Sequence, residues 1–251
     1  MTPSHRCPSG FTLIELLITL VVVTLLAAAL AVPLAAQLNS RRSDEARRML
    51  DEARDAVLGF AAAQGRLPCP ATAASFGQEA FAPGAAAIDG ACADFHGGLL
   101  PAAALGLAGL DAQGFRRDPW ETERNRLRYA VYGGDVNGVT HALTRAHGMQ
   151  MATLQGLGDA HYLIVCSTGA AANGAGCGPA ANQLTRKAAF VLLSTGPNGG
   201  LEPTPGGDEA RNLDGDTVFV ARTPGPDFDD FVDWGGILMV VNRLVVAGQL
   251  P

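Results

Sequence analysis

Aromatic residues are scarce in this chain, at 6%, and they form no stripe on which bases or sugars could stack. Basic residues are outnumbered, 18 against 24 acidic, so the bulk surface is not built for phosphate and nucleic acid is not an expected partner. Catalytic motifs are missing too. The sequence has no G-x-S-x-G elbow, no H-E-x-x-H, no GxxxxGK phosphate loop and no C-x-x-C, which leaves hydrolase-elbow, zinc-protease, nucleotide-hydrolysing and thioredoxin-like chemistry without an anchor. An enzyme would have to draw on His96-Gly97-Gly98, Ser167, Ser194, His141, His147 and His161, and loop or strand-end placement accounts for each. The chain is read as not an enzyme.

What is present is an apolar segment at residues 11–38 followed by room for one sizeable domain in a 251-residue chain. The segment exceeds the roughly 20 residues that span a bilayer. A glutamate, Glu15, interrupts it. A charge at the centre of a membrane helix costs on the order of 3 kcal/mol, so such a carboxylate is a functional candidate, although near the start of the span it could snorkel to the headgroups. Pro33 falls in the same segment and predicts a kink or local melting of the helix.

The stretch PSGFTLIELLITLVVV, residues 8–23, resembles the N-terminus of type IV pilins and type II secretion pseudopilins. The resemblance implies cleavage by a prepilin peptidase after Gly10, N-methylation of the new terminus Phe11, and pairing of the Glu15 carboxylate with the terminal amine of a neighbouring subunit. Two groups that lipid would leave unsatisfied then satisfy each other. Pro33 would assist assembly by letting the helix adjust. Implied partners are the peptidase, other pilin or pseudopilin subunits, an assembly platform with its separate motor, and the membrane. The expected location is the bacterial inner membrane, single-pass, with the main domain in the periplasm, and a pilus or pseudopilus after assembly. Four segments follow: a leader at 1–10, an anchoring and assembly half-helix at 11–38, an amphipathic half-helix at 39–64, and a globular domain at 65–251. By the positive-inside rule alone, Arg41, Arg42, Arg47 and Arg48 outweigh Arg6 and would put the domain in the cytoplasm; the motif outweighs that signal.

Loss of the leader removes Cys7 and leaves Cys69, Cys92, Cys166 and Cys177. An even set in a membrane-anchored chain suggests two disulfides in an oxidising compartment, with three possible connectivities. Each of the pairs Cys69 with Cys92 and Cys166 with Cys177 brackets a loop-like stretch, which favours that arrangement.

Ala46, Met49, Leu50, Ala53, Val57 and Phe60 recur at spacings of three and four, which predicts an amphipathic helix to about Ala63, ended by Gly65, Pro68 and Pro70. Strands are expected at 127–134, 161–168, 188–195 and 216–223. The tail at 235–251 reads as a closing helix, with a buried strand as the alternative. The fold class is α+β: a long N-terminal hydrophobic helix packed on a C-terminal antiparallel sheet, as in pilins. DPW at 118–120, LLSTGPNGG at 192–200 and FDDFVDW at 228–234 also resemble pseudopilin segments. The domain is larger than a typical major pseudopilin, which points to a minor subunit.

Between Glu202 and Asp233 nine acids face only Arg211 and Arg222. Calcium takes six to eight oxygens from carboxylates and carbonyls in Gly-rich loops. Major pseudopilins carry a calcium site after the serine-glycine turn, and by that resemblance Asp208, Glu209, Asp214 and Asp216 are the candidate ligands. No cofactor is required otherwise. The alternatives are a major pseudopilin-like calcium-binding subunit and a pilus-tip subunit for adhesion or ligand binding.

Overall fold

The structure, a computed structural model, describes residues 12–120, 124–174, 176–200 and 207–250, with the side chains of 27–36 outside the description. The chain divides into two compact units, Met1–Asp44 and Glu45–Pro251.

One helix, α1 (Leu13–Gln64), runs through both units. Pro33 lies within its bounds, among residues 27–36. In the first unit, residues 12–26 are all exposed, Leu13 at 83% and Leu25 at 65%. Among the described residues no helix is long and apolar enough to cross a membrane; the apolar stretch with described side chains covers only 13–26. In the second unit the same helix is amphipathic. Ala46, Leu50, Ala53, Val57, Leu58 and Ala61 are buried in the main core, while Asp51, Glu52 and Asp55 face out. Gly65 ends it with φ +68°, a left-handed conformation that favours glycine.

The sheet has five strands: β1 (Arg128–Val131), β2 (Leu163–Cys166), β3 (Gln183–Ser194), β4 (Val218–Val220) and β5 (Phe231–Gly236). Twelve-residue β3 is its spine. β1 and β2 pair antiparallel along one edge of β3, and β5 pairs antiparallel along the other, with Leu192 opposite Asp233. β4 lies parallel to β2, Ile164 opposite Val218. The sheet is therefore mixed rather than wholly antiparallel, because the connection from β2 to β4 travels through β3 and α4 (Asp208–Leu213). Alternation along β3 serves both faces. Phe190 and Leu192 join the core that holds α1, whereas Val191 packs with Leu163, Val165 and Phe219.

Two short helices, α2 (Gly148–Met151) and α3 (Leu154–Asp159), precede β2. The tail forms α5 (Ile237–Val246), burying Ile237, Val240 and Leu244. Disulfides join Cys69 to Cys92 and Cys166 to Cys177. The first fixes the segment leaving α1, beside a buried Arg66–Glu79 ion pair whose guanidinium lies over Phe60 and Phe81.

Candidate functional site

Two places in the chain concentrate function-bearing residues. The first is the start of α1. Gly10 and Phe11 lie outside the described residues. Thr12 opens the helix: its carbonyl accepts from the Leu16 amide at 3.1 Å and its Oγ1 from the Glu15 amide at 3.4 Å. Glu15 therefore sits in the first turn, where a carboxylate is favoured by the helix dipole. It is exposed, with Leu13, Ile14, Leu16, Leu17 and Ile18 around it, also exposed.

The second is a polar centre where β3 ends. The Ser194 hydroxyl donates to Asp118 Oδ2 at 2.6 Å, and the Asn125 amide donates to the same oxygen at 3.1 Å and to the Gly196 carbonyl at 2.5 Å. The Trp120 backbone N–H donates to Asp118 Oδ1, and the Trp120 ring stacks on Phe231 at 5.8 Å. DPW, STGP and the FDDFVDW segment thus meet in one place. Burial raises the Asp118 pKa, against the donors that favour its charged form. Gly196 has φ +59°, and a Cβ there would lie 2.2 Å from the Asp229 carbonyl oxygen, so the turn requires glycine.

Beyond that turn, Glu209, Asp229 and Asp230 bring carboxylate oxygens within 4.8 Å of one another. Asn198 bridges two of them, its backbone N–H donating to Asp229 and its side chain to Glu209. Glu209 also accepts from the Asp229 amide at 2.8 Å. Asn212 donates to Asp230 Oδ2 at 2.8 Å. Oδ1 of Asp229, Oδ1 of Asp230 and Oγ1 of Thr195 are buried without a hydrogen-bond partner, a costly state for a carboxylate. Burial, with like charges close by, pushes the Asp230 pKa to about 7 and that of Asp229 to about 6.

The four acids nominated from sequence are not gathered. Asp208 pairs with Arg222 at 2.6 Å and accepts from the Gly169 amide. Asp214 and Asp216 share Arg211 and cap local backbone N–H groups. Their carboxylates are taken up by arginines and turns, and Glu209 alone joins the cluster, with Asp229 and Asp230 in place of the others. The adjacent acids in FDDFVDW were the available signal, but only folding of that segment beside the STGP turn brings them to Glu209. No serine meets a histidine at the enzyme candidates either: Ser194 is held by Asp118, Ser167 by the Asn182 carbonyl, and His141 Nδ1 lies 2.6 Å from the Gly133 carbonyl.

A family model described as the prokaryotic N-terminal methylation motif matches residues 6–31. The chain carries that motif, the signature of type IV pilins and pseudopilins. Comparison with curated proteins and with solved structures found no match.

Proposed function

We propose that the chain is a minor structural subunit of a type IV pilus or type II secretion pseudopilus. The observation that carries this reading is the methylation motif at residues 6–31, set on a helix whose residues 12–26 are wholly exposed and apolar apart from threonine and Glu15. Such a surface is stable in water only when lipid or other helices cover it. In this reading prepilin peptidase cleaves after Gly10, Phe11 is methylated, and Glu15 meets the new amine of a neighbour. Before assembly residues 11–38 anchor the chain in the inner membrane with the disulfide-bonded domain in the periplasm. The domain's role is structural, and its larger size favours minor rank.

Calcium belongs to this proposal with a revised ligand set. Glu209, Asp229 and Asp230 would hold it, the two orphaned carboxylate oxygens being the donors that fit a hard cation. It would supply charge neutralisation and fix the STGP turn to the segment before β5. Two experiments test the reading. Sheared surface filaments or a purified pseudopilus should contain the wild-type chain and lack Glu15→Ala while its cleavage is retained; equal incorporation of both would refute the assembly role. Millimolar calcium should raise the melting temperature over chelator, and Asp230→Asn should remove that rise; identical melting in both conditions would sink the cation site.

A further inference from the structure

The closing helix α5 buries one stripe, Ile237, Val240 and Leu244, and exposes large apolar side chains on the rest of its surface. Leu238 is 71% and Val246 76% exposed, and Met239 and Val245 are exposed as well. Their placement is ordered. Residues three and four apart are neighbours on a helix surface, and the neighbours of exposed Asn242 at those spacings are Leu238, Met239, Val245 and Val246. One amide is thus ringed by four apolar side chains. Its side chain makes no hydrogen bond among the described residues. The one charge of the helix, Arg243, stands about 100° round from it.

Exposed apolar residues continue on the neighbouring elements. α3 packs against α5, and Met151 at the end of α2 and Leu154 at the start of α3 are both exposed. The Gln150 side chain donates to the Gln249 carbonyl and ties α2 to the tail. The tail in turn reaches the far end of α1, where the Gln249 side chain donates to the Ala62 carbonyl at 3.2 Å. That is about 22 Å along the helix from Arg47, which lies over Phe231. A single exposed hydrophobe needs no explanation, but a cluster of this kind marks an interaction surface.

We propose that this face of α5 seats a second copy of the chain, the two α5 helices packing antiparallel across a two-fold axis that passes through Asn242. The amide selects the occupant. Lipid or a plain apolar groove would leave its donors and acceptor buried without partners, which costs free energy. A second Asn242 supplies both, since each side-chain N–H can donate to the other's carbonyl oxygen. The ring has the matching symmetry. Leu238 and Met239 precede the amide and Val245 and Val246 follow it, so antiparallel packing lays the two larger side chains of one copy on the two valines of the other. Arg243 stays at the rim, and the contact calls on no charge from elsewhere in the chain. Two ten-residue helices cover little area, so the dimer is weak and concentration-dependent. This contact is separate from polymerisation through the start of α1 and does not depend on that reading.

The test is sedimentation of the full chain over a concentration series at fixed detergent. Leu238→Glu, at an exposed position, should weaken dimerisation by about tenfold or more and leave the melting temperature unchanged. Asn242→Asp and Asn242→Lys should each weaken it as much, because like charges meet on the axis, and an equimolar mixture of the two should associate again. That recovery requires residue 242 of one copy to touch residue 242 of the other, which a role in folding alone would not produce. Glu15→Ala should dimerise as the wild type does, separating this contact from the assembly reading. A monomer at every concentration, no recovery in the mixture, association lost in Glu15→Ala, or association only with a different filament subunit would each overturn the proposal.

Discussion

Residues 13–26 and 45–64 belong to one helix, yet they obey opposite rules. In the later stretch apolar side chains occupy one stripe and are buried, Val57 fully; in the earlier one they lie on every side and are exposed. The later stretch finds its partner within the chain, in the core with Tyr129, Phe190 and Leu192. The earlier one has no such partner among the described residues, and the function proposed above gives it lipid or another subunit. On that proposal one helix divides between folding and assembly, and substitutions in the two stretches should fail in different assays.

The largest expected effect tests that division directly. Val57→Asp buries an uncompensated charge and should destabilise the domain by about 4 kcal/mol in denaturant titration. Leu17→Asp should leave domain stability within about 0.5 kcal/mol while abolishing incorporation into filaments. If Leu17→Asp unfolded the domain, the division would be wrong. Next, replacing Cys69 and Cys92 by serine should cost about 3 kcal/mol, since that bridge holds the segment leaving the buried stretch of α1; the same denaturation midpoint reports it. Ser194→Ala removes a donor from buried Asp118 and should cost about 2 kcal/mol, measured likewise, with prepilin processing unaffected.

Smaller still is the pH dependence of the acidic cluster. The Asp229 and Asp230 carboxyls titrate near 6 and 7 in the folded chain, well above the ordinary carboxylate value of about 3.8. Between pH 4 and 7 the folded state therefore binds more protons than the unfolded one. Their contribution to stability is present below about pH 4 and is lost as pH rises through 6 to 7. In chelator, melting temperature should fall over that range more in the wild type than in Asp230→Asn. A bound cation should offset the fall at pH 7. Identical pH profiles for the two proteins would show that Asp230 is not the group responsible.

Legibility from sequence followed the locality of each signal. The amphipathic stretch of α1, its end at Gly65 and the positions of β1 to β4 were readable because periodicity and glycine or proline punctuation act over a few residues. The pairings of Cys69 with Cys92 and Cys166 with Cys177 were readable because each closes a short local loop. β5 was missed as a strand: FVDWGG has an acid within it and two glycines at its end, and only the ladder on β3 makes it extended. The parallel match of β4 to β2 was equally hidden, being decided by the chain's path. For the acids, composition located the region but not the ligands. Asp208, Asp214 and Asp216 are diverted by Arg222 and Arg211, and the Glu209–Asp229–Asp230 cluster depends on contacts that no spacing encodes.

The central claim is that the start of α1 is made for processing and assembly. The most direct measurement is intact mass with N-terminal sequencing of the protein from cells with and without prepilin peptidase, for wild type and Glu15→Ala. The account predicts a peptidase-dependent start at N-methylated Phe11 in both proteins, with Glu15→Ala absent from filaments. A start at Met1 whether or not the peptidase is present would contradict it.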